Sequence, residues 1–524
     1  MNSAKKFSFS PEYSYGGEWH KSNNLWIKGY AFLPNGQLLR NKNLANQIEK
    51  WLSSKNKIDK LSLLNGRFVA TGIVNNTAFI LTDRIRSFPL FYIVSNMQLS
   101  ISDNPETLIG NKMKIDKKAE NQFLASGFTW KNKTLIKGIK QCPPSTLILF
   151  INNKPQIISY FSYSTQSTKP TTLLEASERL KTILENAMER TLRVIGDKPI
   201  AVPLTGGFDS RFLVSWLYRK GIKKIVTFTN GVPESKEFKP ARKVAEKFGF
   251  EWHPIYHDNK TLQSTLAQRS SWDDYINFAS GTTSMSYFQD CISLEKLKLS
   301  KDTVIIGGHF GGFIAGSRLL PFQNLIPTKL LLNQTFKRFF PFFEGSHKTK
   351  KHLQKTLYEE YSSKSTNIPY SIIEDIDFKE RQSKFIANSC RTYDFYVNST
   401  ILPFTDNEII DFFKTLPFEL KLNKKLYDYT LKKFFFKNDE LIFKDELQAS
   451  KPILYRQFIK YILPHSFISA HSRTKKAHDS HNYQKVLMHL SPNHPQHLNN
   501  LFNANQLLIL HNLQYYKSCI SKTS

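Results

Sequence analysis

The spacing of apolar residues changes part-way along the chain. Up to about residue 160 they come in short runs: Leu25-Trp26-Ile27, Phe68-Val69-Ala70, Ala78-Phe79-Ile80-Leu81 and Leu90-Phe91-Tyr92-Ile93-Val94. Each run is rich in β-branched or aromatic residues and is bounded by Asn, Gly, Asp or Pro, the pattern of strands and turns. Leu147 to Ile151, followed by Asn152-Asn153, reads as a hairpin arm, and Leu44 to Leu52 as a helix. Residues 1–160 are therefore expected to form a sheet-rich domain. Residues 161–171 are rich in Ser and Thr and read as a linker. From Leu173 to Val194 the apolar positions Leu174, Leu180, Ile183, Leu184, Ala187 and Met188 take helical spacing.

Next comes Ile200 to Leu204, an apolar run of the length of a buried parallel strand. Thr205-Gly206-Gly207-Phe208-Asp209-Ser210 follows it, and then Phe212, Leu213, Trp216 and Leu217 at helical spacing. A strand, a glycine-rich turn and a helix in that order present free N–H groups at the positive end of a helix dipole. That arrangement binds anions. Asp209 adds a carboxylate beside it, and phosphate plus carboxylate is what a magnesium ion bridges. Ile225 to Thr229, ending in Asn230-Gly231, reads as a second parallel strand, and Ala241 to Phe248 as a helix. Val304-Ile305-Ile306 then runs into Gly307-Gly308-His309-Phe310-Gly311-Gly312, another strand entering a glycine-dense, ligand-facing loop. Alternating strands and helices predict a doubly wound sheet, and the remainder reads as helical.

Composition narrows the partners. The 524 residues allow two or three domains, and 40% hydrophobic with 22% charged residues is a globular balance. Lys plus Arg number 73 against 43 Asp plus Glu, a net charge of +30. The lysines are scattered, without a long basic run interleaved with aromatics, which argues against nucleic acid as the partner. Cys142, Cys291, Cys390 and Cys519 form no C-x-x-C pair and no zinc spacing, so reduced thiols and a cytoplasmic location are expected. No apolar signal core opens the sequence and no run of eighteen apolar residues occurs, so no membrane span is expected. The polar, His-rich stretch from Ser472 to His497 reads as peripheral.

Two resemblances add to this reading. The hexapeptide Thr205 to Ser210 resembles the S-G-G-x-D-S pyrophosphate loop of the ATP pyrophosphatase superfamily. It is not a Walker A loop, because the G-x-x-x-x-G-K-[ST] spacing is absent. Leu64-Asn65-Gly66-Arg67-Phe68, Thr82 to Tyr92 and Lys137 to Pro144 are similar, in the same order, to words of the asparagine synthetases. The resemblance implies an N-terminal-nucleophile-hydrolase-like β-sandwich over 1–160, of the glutamine amidotransferase kind. A doubly wound α/β ATP pyrophosphatase domain with a helical C-terminal part would follow over 172–524. It further implies ATP and Mg²⁺ as cofactors, with Leu204, Thr205, Gly206, Gly207, Phe208, Asp209, Ser210, Asn230 and Gly308 on the nucleotide and Asp209 on the metal. The implied partners are a small-molecule carboxylate and an amine or ammonia.

The departures are informative. Those glutaminases need a Cys directly after the initiator Met, and Asn2 stands here, so that domain is expected to be inactive. In the glycine-dense loop His309 stands where the family has a Glu thought to act as base, and Gly312 and Phe313 stand where it has acids. His309 is the candidate general base, and Lys451 is the candidate counterpart of the family's pyrophosphate-binding Lys. Ser399-Thr400-Ile401 replaces an E-A-R word, and Asp406 reads as a helix N-cap. The expected activity is an AMP-forming, asparagine synthase-like ligase that adenylates a carboxylate and makes an amide. Two alternatives stay open: an RNA-modifying ATPase with the same loop, and a nucleotide-binding pseudoenzyme.

Overall fold

The computed structural model describes residues 6–95, 98–152, 154–268, 271–321, 323–324, 331, 335–336, 338–343, 345–362, 368–443, 482–490 and 504–522. Asn2 and Lys451 lie outside these residues, as does the 472–497 stretch apart from 482–490.

Two sheets build the first part of the chain. One has four strands in the order Lys6–Ser10, Gln98–Ser102, Phe91–Ser95, Lys140–Gln141. The other has seven. Its path runs Lys154–Ser159, Thr146–Ile151, Thr77–Thr82, Asn65–Val74, Leu25–Phe32, His20–Ser22, with Leu38–Arg40 also paired to Leu25–Phe32. The expected hairpin arm is there, since Thr146–Ile151 pairs antiparallel with Lys154–Ser159. The apolar runs are continuous because the larger sheet is buried on both faces. Val69, Ile80 and Ile148 meet Tyr92, Leu99 and Ile101 of the smaller sheet in one buried cluster. Their neighbours Phe68, Ala70, Phe79 and Leu81 belong instead to the main core, with Leu44 and Ile48 of the Asn41–Leu52 helix.

The stretch expected as a linker is docked. Tyr163 stacks on Phe378 with ring centroids 5.4 Å apart, and its backbone N–H donates to Asp375 Oδ1 at 2.6 Å. Only its Ser and Thr positions resemble linker chemistry; its aromatic residues, Phe161 and Tyr163, are buried.

The second part holds a five-stranded, all-parallel sheet of β1 (Ile200–Pro203), β2 (Ile225–Gly231), β3 (Glu251–Tyr256), β4 (Val304–Ile306) and β5 (Ser399–Ile401). The spatial order is β3-β2-β1-β4-β5. The chain first winds away from β1 in one direction and then returns to its other side, as a doubly wound sheet does. The switch falls between β1 and β4, where open α/β sheets bind ligands beyond the strand carboxyl ends. The Leu173–Ile195 helix starts in a capping box, Thr172 with Glu175. The Phe208–Arg219 and Phe238–Phe248 helices bury Phe212, Leu213, Val244 and Ala245 in the same core as the strands. Among the described residues no helix is long and apolar enough to cross a membrane.

Arginines of the first part hold the two parts together. Arg67 donates to both carboxylate oxygens of Asp394, through Nη1 to Oδ1 at 2.9 Å and through Nη2 to Oδ2, and its Nη1 also donates to the Thr400 carbonyl at 3.0 Å. Burial lowers the Arg67 pKa, but the charge and hydrogen bonds of Asp394 outweigh it and the net direction is up. Arg84 makes a similar fork to Asp411 at 2.7 and 3.0 Å, but Asp411 is half exposed. Asp406 caps the Asn407–Lys414 helix as the sequence predicts, accepting from Glu408 N–H at 2.9 Å. It also takes Asn65 Nδ2 at 3.0 Å and Arg190 Nε at 2.7 Å.

The two forks should differ in worth. Asp394→Ala leaves a buried guanidinium unpaired and is expected to cost about 3–5 kcal/mol. Asp411→Ala removes a water-screened partner and is expected to cost about 1 kcal/mol or less. Urea denaturation of both variants measures the difference, and equal losses would show that burial does not set the strength of these pairs.

Candidate active site

The site grows from the two loops that leave β1 and β4 side by side. After β1, Leu204 is still held by the sheet: its N–H donates to the Phe228 carbonyl at 2.8 Å and its own carbonyl accepts Thr229 Oγ1 at 2.6 Å. The chain then turns through Thr205-Gly206-Gly207. Ser210 Oγ accepts the Thr205 N–H at 3.1 Å, and Thr205 Oγ1 accepts the Gly207 N–H at 3.1 Å. Arg211, fully buried beneath the turn, donates through Nη2 to the Gly206 carbonyl and through Nη1 to the Leu441 carbonyl at 2.6 Å. The Gly206 N–H donates to Glu237 Oε2 at 2.7 Å, so a carboxylate already stands where the turn offers its amide. The Phe208 ring packs edge-on against Phe436, 5.2 Å between centroids.

Asp209 faces the second loop. Its Oδ1 accepts the Tyr427 hydroxyl at 2.6 Å and its Oδ2 accepts the Gly312 N–H at 3.1 Å. Burial pushes the Asp209 carboxyl above the ordinary Asp value, against the opposing pull of Tyr427, Lys424 and the Gly312 N–H. The glycines opposite are set by this contact. A β-carbon on Gly311 would lie 2.8 Å from Asp209 Cγ and 2.9 Å from both carboxylate oxygens. One on Gly308 would lie 3.1 Å from Asp209 Cβ. Gly312 differs, because its β-carbon would be 3.9 Å from Asp209 Oδ2 and 3.7 Å from Ser317 Oγ, ordinary contact distances. Phe310 between these glycines sits at φ 73°, a conformation that a bulky side chain holds only under constraint.

His309 lies on the other side of Gly308. Its ring meets Tyr393 edge-on with centroids 5.8 Å apart, and its buried Nδ1 has no hydrogen-bond partner among the described residues. Burial lowers its pKa from 6.5, with Asp290 pulling the other way. Asp290 accepts Asn230 Nδ2 at 2.6 Å and the Tyr393 hydroxyl at 2.8 Å. Asn230, expected on the nucleotide, therefore commits its side-chain amide to Asp290.

Thr205 to Ser210, Gly308 and His309 are thus brought together at the switch point, with Asn230 joined to them through Asp290. Lys451 is outside the described residues. Sequence reading missed Asp290, Tyr427 and Lys424. Asp290 opens the Gln289–Leu297 helix and Tyr427 lies on the Lys425–Leu431 helix, each in an ordinary amphipathic segment with no motif to single it out. Lys424 follows Asn423 in a helix break where both residues have positive φ, and the Asn is the one sequence cue to that break. Among the described residues no group of three or more His, Cys, Asp or Glu side chains could hold a metal. Asp209 is the one carboxylate that the two loops bring to the switch point. That donor set fits a cation arriving with bound phosphates better than a resident one.

Comparisons with known proteins bear on the middle of the chain. A family model described as asparagine synthase matches residues 179–288, which include β1, the Thr205 to Ser210 turn, β2, β3 and Asn230. No curated protein matches the sequence. Among solved structures, an NH3-dependent NAD synthetase from Campylobacter jejuni subsp. jejuni, in complex with nitrate, aligns at 14% identity and a TM-score of 0.19. That alignment covers 40% of this chain and 94% of the synthetase. The allosteric regulatory enzyme of purine biosynthesis aligns at 10% identity and a TM-score of 0.17, covering 45% of this chain and 62% of that one. Likenesses of that size carry no weight for fold or activity.

Proposed function

We propose that this chain is an ATP-dependent ligase that joins a carboxylate to ammonia or an amine. The observation that carries the reading is the pair of loops at the switch point, the Thr205 to Ser210 turn opposite Gly308 to Gly312, with Asp209 held between them. The asparagine synthase model matched over 179–288 supports the same reading. A carboxylate oxygen of the substrate attacks the α-phosphorus of ATP. The bond to the β-phosphate oxygen breaks and pyrophosphate leaves with the electron pair. The amine nitrogen then attacks the acyl carbon, AMP leaves, and the nitrogen loses a proton. The N–H groups of Phe208, Asp209 and Ser210 at the start of the helix bind phosphate oxygens, and Lys424 and Arg211 bring positive charge beside and beneath the turn. Magnesium bound with the nucleotide would neutralise phosphate charge, and Asp209 is the residue that would hold it. His309 takes the amine proton on its ring, which burial keeps in the neutral, basic form.

A second reading, a nucleotide-binding pseudoenzyme, has its own observation. Glu237 occupies the Gly206 amide, and Gly312 offers no side chain to a metal. ATP–pyrophosphate exchange with pools of carboxylic acids separates the two. Exchange supports the ligase; ATP binding without exchange supports the pseudoenzyme.

Two expectations follow for the ligase. Asp209→Ala should reduce exchange by at least about 10²-fold, the scale of losing one preorganised electrostatic contact. Gly312→Asp should be accommodated, since its β-carbon has room, and should lower the magnesium concentration needed for half-maximal exchange. Gly311→Asp serves as the control, because its β-carbon collides with the Asp209 carboxylate. Near-normal exchange by Asp209→Ala would refute the loop assignment.

His309→Gln should leave exchange nearly unchanged and slow amide formation by about 10²–10⁴-fold. The pH dependence has a definite sign. A His pKa lowered from 6.5 leaves the free base in place at neutral pH, so the amide-forming step should stay level there and fall only as pH drops below 6.5. The Gln variant should lack that acidic limb. A wild-type product rate from His309→Gln would make His309 a loop residue only.

A further inference from the structure

The interface between the two parts of the chain contains two arginines without a counterion among the described residues. Arg86 is 0% exposed and Arg391 is 4% exposed. Arg86 sits at φ 59°, a left-handed conformation that costs a non-glycine residue. Its Nη1 donates to Asn388 Oδ1 at 3.2 Å, while its Nε and Nη2 have no partner among the described residues. Arg391 lies three residues beyond Asn388 on the Ala387–Tyr396 helix, hence on the same face. Its guanidinium lies 4.0 Å from the centroid of the Phe278 ring, and its Nη1 has no partner. Gly281, at φ 52°, lies beside them. Asn388 Nδ2 reaches Ser284 Oγ at 2.9 Å just past it, and a β-carbon on Gly281 would meet the Phe91 ring at 2.9 Å, with Arg391 Nη1 3.5 Å away.

The carboxylates whose charge reaches these arginines are all committed. They are Asp83 and Glu380 for Arg86, and Asp103 and Asp394 for Arg391. Asp83 accepts from the N–H groups of Phe68, Ile85 and Ser87. Asp103 accepts from Trp19 Nε1 and the N–H groups of Glu12 and Tyr13. Asp394 is taken by Arg67, and Glu380 by Lys384 and the Lys131 N–H. Some buried cations have a carboxylate, as Lys421 has Glu374 at 2.5 Å and Arg338 has Asp377 at 2.6 Å, and others are held by carbonyl groups, as Arg211 is by Gly206 and Leu441 and Lys28 by Tyr13 and Tyr15. Buried polar groups are ordinarily satisfied, and three unpartnered guanidinium nitrogens on two neighbouring buried cations are exceptional.

We propose that Arg86 and Arg391, around the Gly281 turn, form a binding site for one small monovalent anion, either a halide-sized inorganic ion or the carboxylate of a small acid. Three N–H donors, two positive charges and an aromatic wall suit a single desolvated negative charge. Burial and the neighbouring Arg391 pull the Arg86 pKa down to about 9, and burial pulls that of Arg391 down to about 10. An anion there would bind across the interface and so tie the two parts together. The proposal does not depend on the ligase reading, since no residue of the switch-point loops takes part.

The test is thermal unfolding of the full chain at constant ionic strength, with gluconate replaced stepwise by chloride, bromide, nitrate or acetate. A saturable rise in Tm is expected for the wild type, because a ligand that binds only the native state stabilises it by mass action. Arg86→Gly suits the left-handed turn and removes one cation, so it should fold and lose the response; Arg391→Gln should lose it as well. Crystals grown in bromide should show an anomalous peak between the two guanidinium groups. A response to halide and nitrate alone identifies a free inorganic ion, and a response to acetate as well identifies carboxylate recognition. The proposal fails if the wild type shows no anion-specific rise, if the variants respond as the wild type does, or if the bromide peak lies elsewhere.

Discussion

The contact on which the site depends is the approach of the Gly308 to Gly312 backbone to the Asp209 carboxylate. At Gly311 that approach leaves no space for a single carbon atom. It is possible because β1 and β4 are adjacent, parallel and in register, Ile200 opposite Val304, so their loops emerge at the same edge. The doubly wound strand order separates the two loops at that edge instead of sending a helix across it. Tyr427 and the Gly312 N–H then fix the carboxylate from opposite sides, and Arg211 fixes the turn from beneath. The result is a preorganised arrangement in which the backbone supplies donors and the side chains supply orientation.

The first part of the chain has a related geometric role. The words Leu64 to Phe68 and Thr82 to Tyr92 carry Asn65, Arg67, Arg84 and Arg86, and each of these reaches a residue of the second part. Asn65 reaches Asp406, Arg67 reaches Asp394 and Thr400, Arg84 reaches Asp411, and Arg86 reaches Asn388. Thr400 lies on β5, beside the β4 strand that carries the glycine loop, and Asp394 shares a helix with Tyr393. Whatever chemistry the first part performs, its contacts brace the elements that position His309 and Tyr393.

Sequence alone disclosed what is local. The Ile200 to Lys220 strand, turn and helix were legible because all their determinants fall within twenty residues. Asp406 as an N-cap was legible for the same reason. The partners of Asp209 and His309 were not. Tyr427 is 218 residues from Asp209, and no spacing rule links residues that distant. Asp290 was hidden in an ordinary amphipathic helix. The polar stretch after residue 160 looked like a linker because hydroxyl residues dominate it, yet burial of Phe161 and Tyr163 decides its path. Two aromatic rings bury enough surface to outweigh the surrounding polar residues.

A shortage of carboxylates runs through the molecule and links these features. With 73 Lys and Arg against 43 Asp and Glu, several interior acids are drawn into pairs, Asp394 with Arg67, Glu374 with Lys421, Asp377 with Arg318 and Arg338, while Asp83 and Asp103 are held by N–H groups. Among the described residues none is bonded to Arg86 or Arg391. At the switch point the same imbalance appears in another form. Asp290 is spent on Asn230 and Tyr393, which leaves the His309 Nδ1 unpartnered, and Asp209 faces a glycine where a second acid has room to stand. With Glu237 on the Gly206 amide and Asp290 on Asn230 and Tyr393, Asp209 is the carboxylate left between the two loops, beside Lys424 and above Arg211. On the proposed reading a nucleoside triphosphate would supply further negative charge there, and the protein's scarcity of acids would then make room for it.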